Sequence, residues 1–308
     1  MIDKINLLKQ NIIKIIKGKD QEIDTIITIF LAGGHILIED VPGVGKTTLS
    51  KALALSINCS FKRIQFTPDL LPADILGGSV YNAKEGTFDF RKGPIFGNII
   101  LADEINRASP RTQSSLLESM SEQQVTIEGE THQLMSPFIV IATQNPVDFH
   151  GTYPLPEAQM DRFSASISLG YPNAKNEMEM LYAQKGDHPV KQIQPIMNSE
   201  DINSIKENIN QIHVDQNIAK YIINIINTTR SHVDIDLGLS PRAGLAMFRC
   251  AQSAAFMNER DHVIPDDIKS LAPTVFAHRL ILKNKRDKTI SIKKELVNSI
   301  LDEIKVPV

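Results

Sequence analysis

The chain has 308 residues, 42% of them hydrophobic and 22% charged, with a formal net charge of −3. That length accommodates about two domains at roughly 100–200 residues each. The near-neutral balance, without a long basic run, argues against a dedicated nucleic-acid binder, and no uncharged apolar stretch reaches the about 18 residues of a membrane span.

In chain order, Ile2, Ile5, Leu8, Ile12 and Ile16 recur at three- and four-residue spacing, which predicts a helix with one apolar face. Lysines and asparagines interrupt that segment, so it lacks the apolar core of a signal peptide and a cytosolic address is expected. A second helix is expected from Asp20 to Gly33-Gly34. His35 to Asp40 reads as a strand, VPGVGKT as a glycine-rich loop and residues 46–57 as a helix. Strand, glycine-rich loop and helix form the context that a phosphate-binding loop requires. CSFKRIQF predicts a strand, TPDLLPADILGG a proline-punctuated turn, and residues 79–93 a hairpin about Lys84-Glu85-Gly86. Residues 98–102 are almost wholly apolar, as in a parallel strand buried on both faces. A helix follows, with Ser109 as N-cap and Pro110 at its first position. VTIEGETHQL predicts another hairpin, and PFIVIATQNP a second buried strand. After Tyr171-Pro172 the patterns are helical and strand alternation ceases, so a domain boundary is expected near residue 170.

Five motifs carry chemistry. In DVPGVGKT, Gly43 and Gly45 let backbone amides curl around a phosphate. The N-terminus of the following helix faces the same anion. Lys46 then reaches the β- and γ-phosphates, and the Thr47 hydroxyl ligates magnesium. Asp40 stands where the usual pattern begins with glycine. In IILADE, an apolar strand delivers two carboxylates to the end of a parallel sheet, where α/β ligands bind. Asp103 can hold magnesium, and Glu104 can deprotonate the attacking water. In ATQNP, Asn145 can donate to the γ-phosphate or the water; the alternative is an Asn-Pro turn. In LPEAQMDRF, Arg162 falls on an expected helix and can stabilise charge on a neighbour's γ-phosphate. The alternative there is a helical ion pair, for instance with Glu157. In LSPRAGLAM, Ser240 caps, Pro241 opens a helix, and Arg242 lies in its first turn. The helix dipole disfavours a cation there, so Arg242 wants an anionic partner such as phosphate, or stays a surface arginine.

Cys59 and Cys250 have neither metal-ligand spacing nor a disulfide framework and read as free thiols. The eight histidines make no ligand set. His132, His150 and His278 are read as surface or structural residues.

These blocks together resemble the MoxR family of AAA+ ATPases. LAGGHILIEDVPGVGKTTLSKALA, QFTPDLLPADILGG, FRKGPIFGNIILADEINRASPRTQSSLLESMSEQQVTI, ATQNPVDFHGTYPLPEAQMDRF and LSPRAGLAM occur in the family's order. The resemblance covers roughly the whole chain, and Asp40 is itself common in that family's loop. It implies an α/β AAA+ P-loop domain, a parallel sheet flanked by helices, over residues 1–170. A C-terminal all-α lid takes residues 171–308. It implies ATP and Mg²⁺ as cofactors. Pro42, Gly43, Val44, Gly45, Lys46, Thr47 and Thr48 match Walker A; Asp103 and Glu104 match Walker B. Asn145 matches sensor 1, Arg162 the arginine finger acting across a subunit boundary, and Arg242 sensor 2, in cis or in trans. Gly18 falls where the family touches adenine, although Lys17 replaces the usual aliphatic residue. Residues 78–93 match an extra hairpin inserted into helix 2, and 124–137 the hairpin before sensor 1. A ring, expected to be a hexamer, with chaperone-like action on a partner is implied, often a von Willebrand factor A domain protein. A DNA-directed AAA+ motor and a chelatase-type motor subunit remain alternatives.

Overall fold

The structure is a computed structural model that describes residues 1–145, 151–183, 189–284 and 289–307. Pro146 and His150 lie outside the described residues.

Helix α1 (Ile2–Ile15) buries Ile5, Leu8 and Ile12, the stripe that the sequence marks. Helix α2 (Asp20–Leu31) buries its second half, and beyond its cap Ala32 the chain turns at Gly33, where φ is +75°. Strand β1 (Ile36–Glu39) leads into the loop and helix α3 (Lys46–Ser56). Strand β2 (Phe61–Gln65) precedes a five-residue helix, α4 (Pro72–Leu76), where the sequence suggested only a turn. Strands β3 (Gly77–Asn82) and β4 (Thr87–Lys92) form the first antiparallel hairpin. Strand β5 (Ile99–Asp103) is buried throughout. Helix α5 (Pro110–Glu122) starts at Ser109, whose side chain accepts from the Thr112 amide. Strands β6 (Gln124–Ile127) and β7 (Glu130–Gln133) make the second hairpin. Its turn holds Glu128 and Gly129 at φ +52° and +87°, the positive pair that a two-residue turn demands. Strand β8 (Ile139–Gln144), short helix α6 (Glu157–Met160) and strand β9 (Ala165–Ile167) complete this part.

The five parallel strands lie in the order β2-β5-β8-β1-β9. Alternate residues divide between two cores. Ile36, Ile38, Leu101 and Ile141 pack with α1, α2 and α3, in a cluster that continues into the C-terminal helices. Leu37, Ile100, Ala102 and Val140 pack with Leu116, Leu117 and Met120 of α5. With both faces covered, the open edge at the strands' C-terminal ends is where a ligand can enter.

Beyond β9 come α7 (Ala174–Ala183), α8 (Ser199–Asn210) and α9 (Gln216–Ser231). Strand β10 (Ile235–Leu237) precedes α10 (Pro241–Met257) and α11 (Pro265–Phe276). Strand β11 (Ile281–Leu282) and helix α12 (Ile290–Glu303) end the chain. The helical lid is as expected, with one addition: β10 and β11 pair as a small antiparallel ribbon. Three and two residues are too short to leave an alternation signal in sequence.

Candidate nucleotide site

Gly43 and Gly45 have φ of +87° and +91°, a region that side chains with a Cβ rarely adopt. Gly45 is the N-cap of α3, whose first turn carries no acidic residue, so the helix presents its positive end to an anion. Ile16 steadies the loop: its Cδ1 lies 3.3 Å from where a Cβ on Gly45 would stand. Lys46 Nζ donates to the Asp40 carbonyl at 3.0 Å. Partial burial lowers its pKa, while Asp103, Asp40 and Glu104 draw it back up.

Asp40 is 6% exposed and explains its own presence in the loop. Its Oδ2 accepts from the amides of Leu169 at 2.5 Å and Gly170 at 2.8 Å. A glycine there would leave two amides at the exit of the sheet without this acceptor.

Asp103 and Glu104 emerge at the C-terminal end of β5. Asp103 Oδ1 accepts from Thr143 Oγ1 at 2.7 Å, and the same hydroxyl accepts from the Glu104 amide at 2.9 Å. Asp103 Oδ2 accepts from Arg63 Nη2 at 2.7 Å and Nε at 3.2 Å. Glu104 Oε2 accepts from Gln65 Nε2 at 2.9 Å and lies 3.3 Å from Arg107 Nε. Glu104 has φ +56°, a left-handed conformation costing a non-glycine residue about 1–3 kcal/mol. Such strain persists where the surroundings over-determine it, here by the Thr143 and Gln65 contacts.

A cleft of about 390 Å³ collects Pro42, Gly43, Gly45, Lys46, Thr47 and Thr48 from the loop, and Asp103, Glu104 and Asn145 from the strand ends. Nine of the residues singled out in sequence thus converge. The side chain of Val44 instead packs on the core. Gly18 does not line the cleft; it turns between α1 and α2 at φ +70°, with the Asn176 amide packed where a Cβ would lie. Arg63, Gln65 and Thr143 went unrecognised in sequence. KRIQF carried a signal for the first two: Ile64 and Phe66 point into the core, so Arg63 and Gln65 share the opposite face.

The donor set fits magnesium. Among the described residues no group of three His, Cys, Asp or Glu could cage a metal alone. A carboxylate and a hydroxyl, Asp103 and Thr47, border the cleft instead, hard oxygens that suit an ion shared with phosphates.

Arg162 and Arg242 lie elsewhere, together in a groove of about 260 Å³ with Arg249, Gly34, His35 and Ser164. His35 and Ser164 precede β1 and β9, so the groove sits at the N-terminal ends of these strands, opposite the end of β1 that leads into the phosphate loop. Arg162 is not on a helix as expected: α6 stops at Met160, and Arg162 follows its cap, Asp161. Its Nη1 donates to Leu117 O at 2.8 Å and Ser121 Oγ at 2.6 Å, which docks it on α5 rather than on Glu157. Arg242 occupies the first turn of α10, capped as expected by Ser240. Beneath the groove runs a contact the sequence did not reveal. Arg279 Nε lies 3.1 Å from Asp161 Oδ1, a buried charge contact rather than an aligned hydrogen bond. Burial pulls the Arg279 pKa down to about 10, against the raising effect of Asp161. His278 Nε2 donates to the Phe163 carbonyl at 3.0 Å and is buried, and His132 stacks on Phe90, so both are structural.

A five-stranded parallel sheet with a phosphate loop after β1, paired carboxylates at the tip of β5 and a helical lid defines a P-loop ATPase of the AAA class. Residues 35–165 match the family model described as ATPase family associated with various cellular activities (AAA), and residues 227–303 match AAA lid domain. The protein YeaC of Bacillus subtilis is 48% identical over 97% of this chain and 93% of its own length. Chaperone MoxR1 of Mycobacterium tuberculosis is 40% identical over 87% of this chain and 73% of its own. A crystal structure from Cytophaga hutchinsonii is similar with TM-score 0.91 and 39% identity, covering 100% of this chain and 96% of that one. The chain belongs to the MoxR family of AAA+ ATPases and is an ATP-hydrolysing enzyme.

Proposed function

We propose that this chain is the subunit of a magnesium-dependent ring ATPase, a hexamer, in which each nucleotide is completed by the arginines of the next subunit. An α/β unit over residues 1–170 grips the nucleotide and a lid over 171–308 responds to it. One observation carries this reading. The groove of Arg162 and Arg242 opens beside His35, whereas the phosphate cleft opens beyond Glu39. Four strand residues separate them, roughly 13 Å at about 3.3 Å per residue. A side chain cannot bridge that span and the sheet between, so both arginines are free to serve a neighbour's phosphate.

In this reading the loop amides and Lys46 hold the β- and γ-phosphates, and Thr47 with Asp103 would hold a magnesium ion, which would supply neutralising charge to the phosphates. Glu104 accepts a proton from the attacking water, and Asn145 orients that water. Gly18 meets the base; its turn adjoins Ile16, which touches the loop, and Asn176 of the lid. The next subunit's Arg162, held on α5, and Arg242 stabilise the charge that develops on the γ-phosphate.

The hairpins β3–β4 and β6–β7 act on the client. Tyr81 and Phe88 form a ring pair 5.3 Å apart and are 58% and 71% exposed, an apolar contact offered outward. The name chaperone borne by MoxR1 supports action on a partner protein, here a von Willebrand factor A domain protein in the cytosol. No helix of the described residues is long and apolar enough to cross a membrane.

Dilution tests the assembly. Turnover per chain should rise steeply with chain concentration in wild type and stay low and flat in Arg162→Ala. Concentration-independent turnover in wild type would refute the shared site.

A further inference from the structure

Asp103 has two carboxylate oxygens, and both are taken. Thr143 holds Oδ1, while the fork of Arg63 closes on Oδ2 through two nitrogens. Arg63 sits on β2, the edge strand beside β5, and its register neighbour two residues on is Gln65, paired with Asp103 itself. The same Arg63 Nη2 donates to Gln65 Oε1 at 2.8 Å, and Gln65 Nε2 donates on to Glu104 Oε2. The contacts therefore run Asp103, Arg63, Gln65, Glu104, a closed relay joining the two carboxylates along the rim of the phosphate cleft. The Asp103 side chain is 13% exposed against 49% for Arg63, so the aspartate is fixed and the arginine is the partner with room to leave.

A divalent ion at this cleft needs the charge of Asp103, directly or through a bound water. Two cations then contest one carboxylate, and a guanidinium is repelled by a doubly charged ion close by. We propose that Arg63 is a positioning residue that competes with magnesium for Asp103. Resting on the magnesium-dependent reading above, the inference adds the residue that the ion must displace.

The test measures metal binding without turnover. A fluorescent N-methylanthraniloyl-ADP is bound to the full chain in EDTA, and magnesium is titrated in. In wild type the ion should tighten nucleotide binding. In Arg63→Met, which keeps length without charge, the half-saturating magnesium concentration should fall about tenfold, equivalent to about 1.4 kcal/mol. Arg63→Lys, a point charge without the fork, should fall by about threefold. An unchanged or higher half-point in Arg63→Met overturns the inference while leaving the site reading intact. No magnesium effect in wild type overturns both. Should Arg63→Met fail to bind nucleotide even in EDTA, the lysine variant decides by the same criterion: a fall supports competition, and no fall refutes it.

Discussion

Glu104 is held by its backbone as well as its side chain. Its amide, its left-handed φ and its Gln65 contact all fix where the carboxylate can go. Glu104→Gln should therefore keep ATP affinity but lower kcat about 10²–10⁴-fold, the usual range for losing a general base. Phosphate release and nucleotide binding measured on one preparation check this, and normal turnover would contradict it. His35 offers a residue-scale test of the other end of the sheet. Its Nδ1 accepts from the Val140 amide at 2.9 Å and its Nε2 meets the Met120 carbonyl at 3.1 Å, which fixes the neutral ring. Burial lowers its pKa from 6.5 to about 4. The unfolded chain takes up the proton near pH 6.5, whereas the folded one resists until about 4. The stabilisation is complete above pH 6.5 and is lost as pH falls through that window, at most about 3 kcal/mol. Thermal unfolding between pH 7.5 and 5 should show the fall, and His35→Gln should reduce it, the rest coming from His278, whose pKa burial also lowers.

At the scale of elements, the phosphate loop is tied to the exit of the sheet. Asp40 hands two hydrogen bonds' worth of acceptor to Leu169 and Gly170, where the chain leaves β9 for the helices. Asp40→Ala should cost about 1–3 kcal/mol, the penalty of leaving buried amides unsatisfied. That lowers Tm by roughly 2–12 °C, at about 2–4 °C per kcal/mol for a chain of this class. An unchanged Tm would show that the joint is slack. The two hairpins are joined as well. Phe90 stacks on His132 with centroids 4.4 Å apart, and Ser79 Oγ donates to Glu128 at 2.6 Å. How much of this the sequence discloses depends on whether the partners are contiguous. Gly43 to Thr48 adjoin along the chain, so spacing alone exposes the loop, and the apolar run before Asp103 exposes its strand. Arg63 lies 40 residues from Asp103 and meets it only through lateral strand pairing, which leaves no periodic mark. The same holds for Thr143, two residues before the Asn145 that was recognised. Arg162 was drawn onto a helix because its neighbours favour one, but the helix stops after Met160 and Asp161 turns to the lid.

Across the whole molecule, Asp161 is the joint. Its Oδ2 accepts from Ser240 Oγ at 2.8 Å at the start of α10, and its Oδ1 neutralises Arg279 beyond α11. The Arg279 side chain is only 2% exposed. Removing one partner of such a pair strands the other charge, at about 3–5 kcal/mol. Asp161→Ala should thus lower Tm by roughly 10 °C and loosen the groove that carries Arg162 and Arg242; calorimetry checks the first effect. In the proposed ring each chain supplies half of two sites, phosphate-gripping residues at one end of the sheet and arginines at the other. The direct measurement is complementation between two inactive variants. Lys46→Ala has intact arginines but a crippled loop, and Arg162→Ala has the reverse. Mixed, they should hydrolyse ATP well above the sum of the two alone. A mixture no more active than that sum would contradict a site shared between chains.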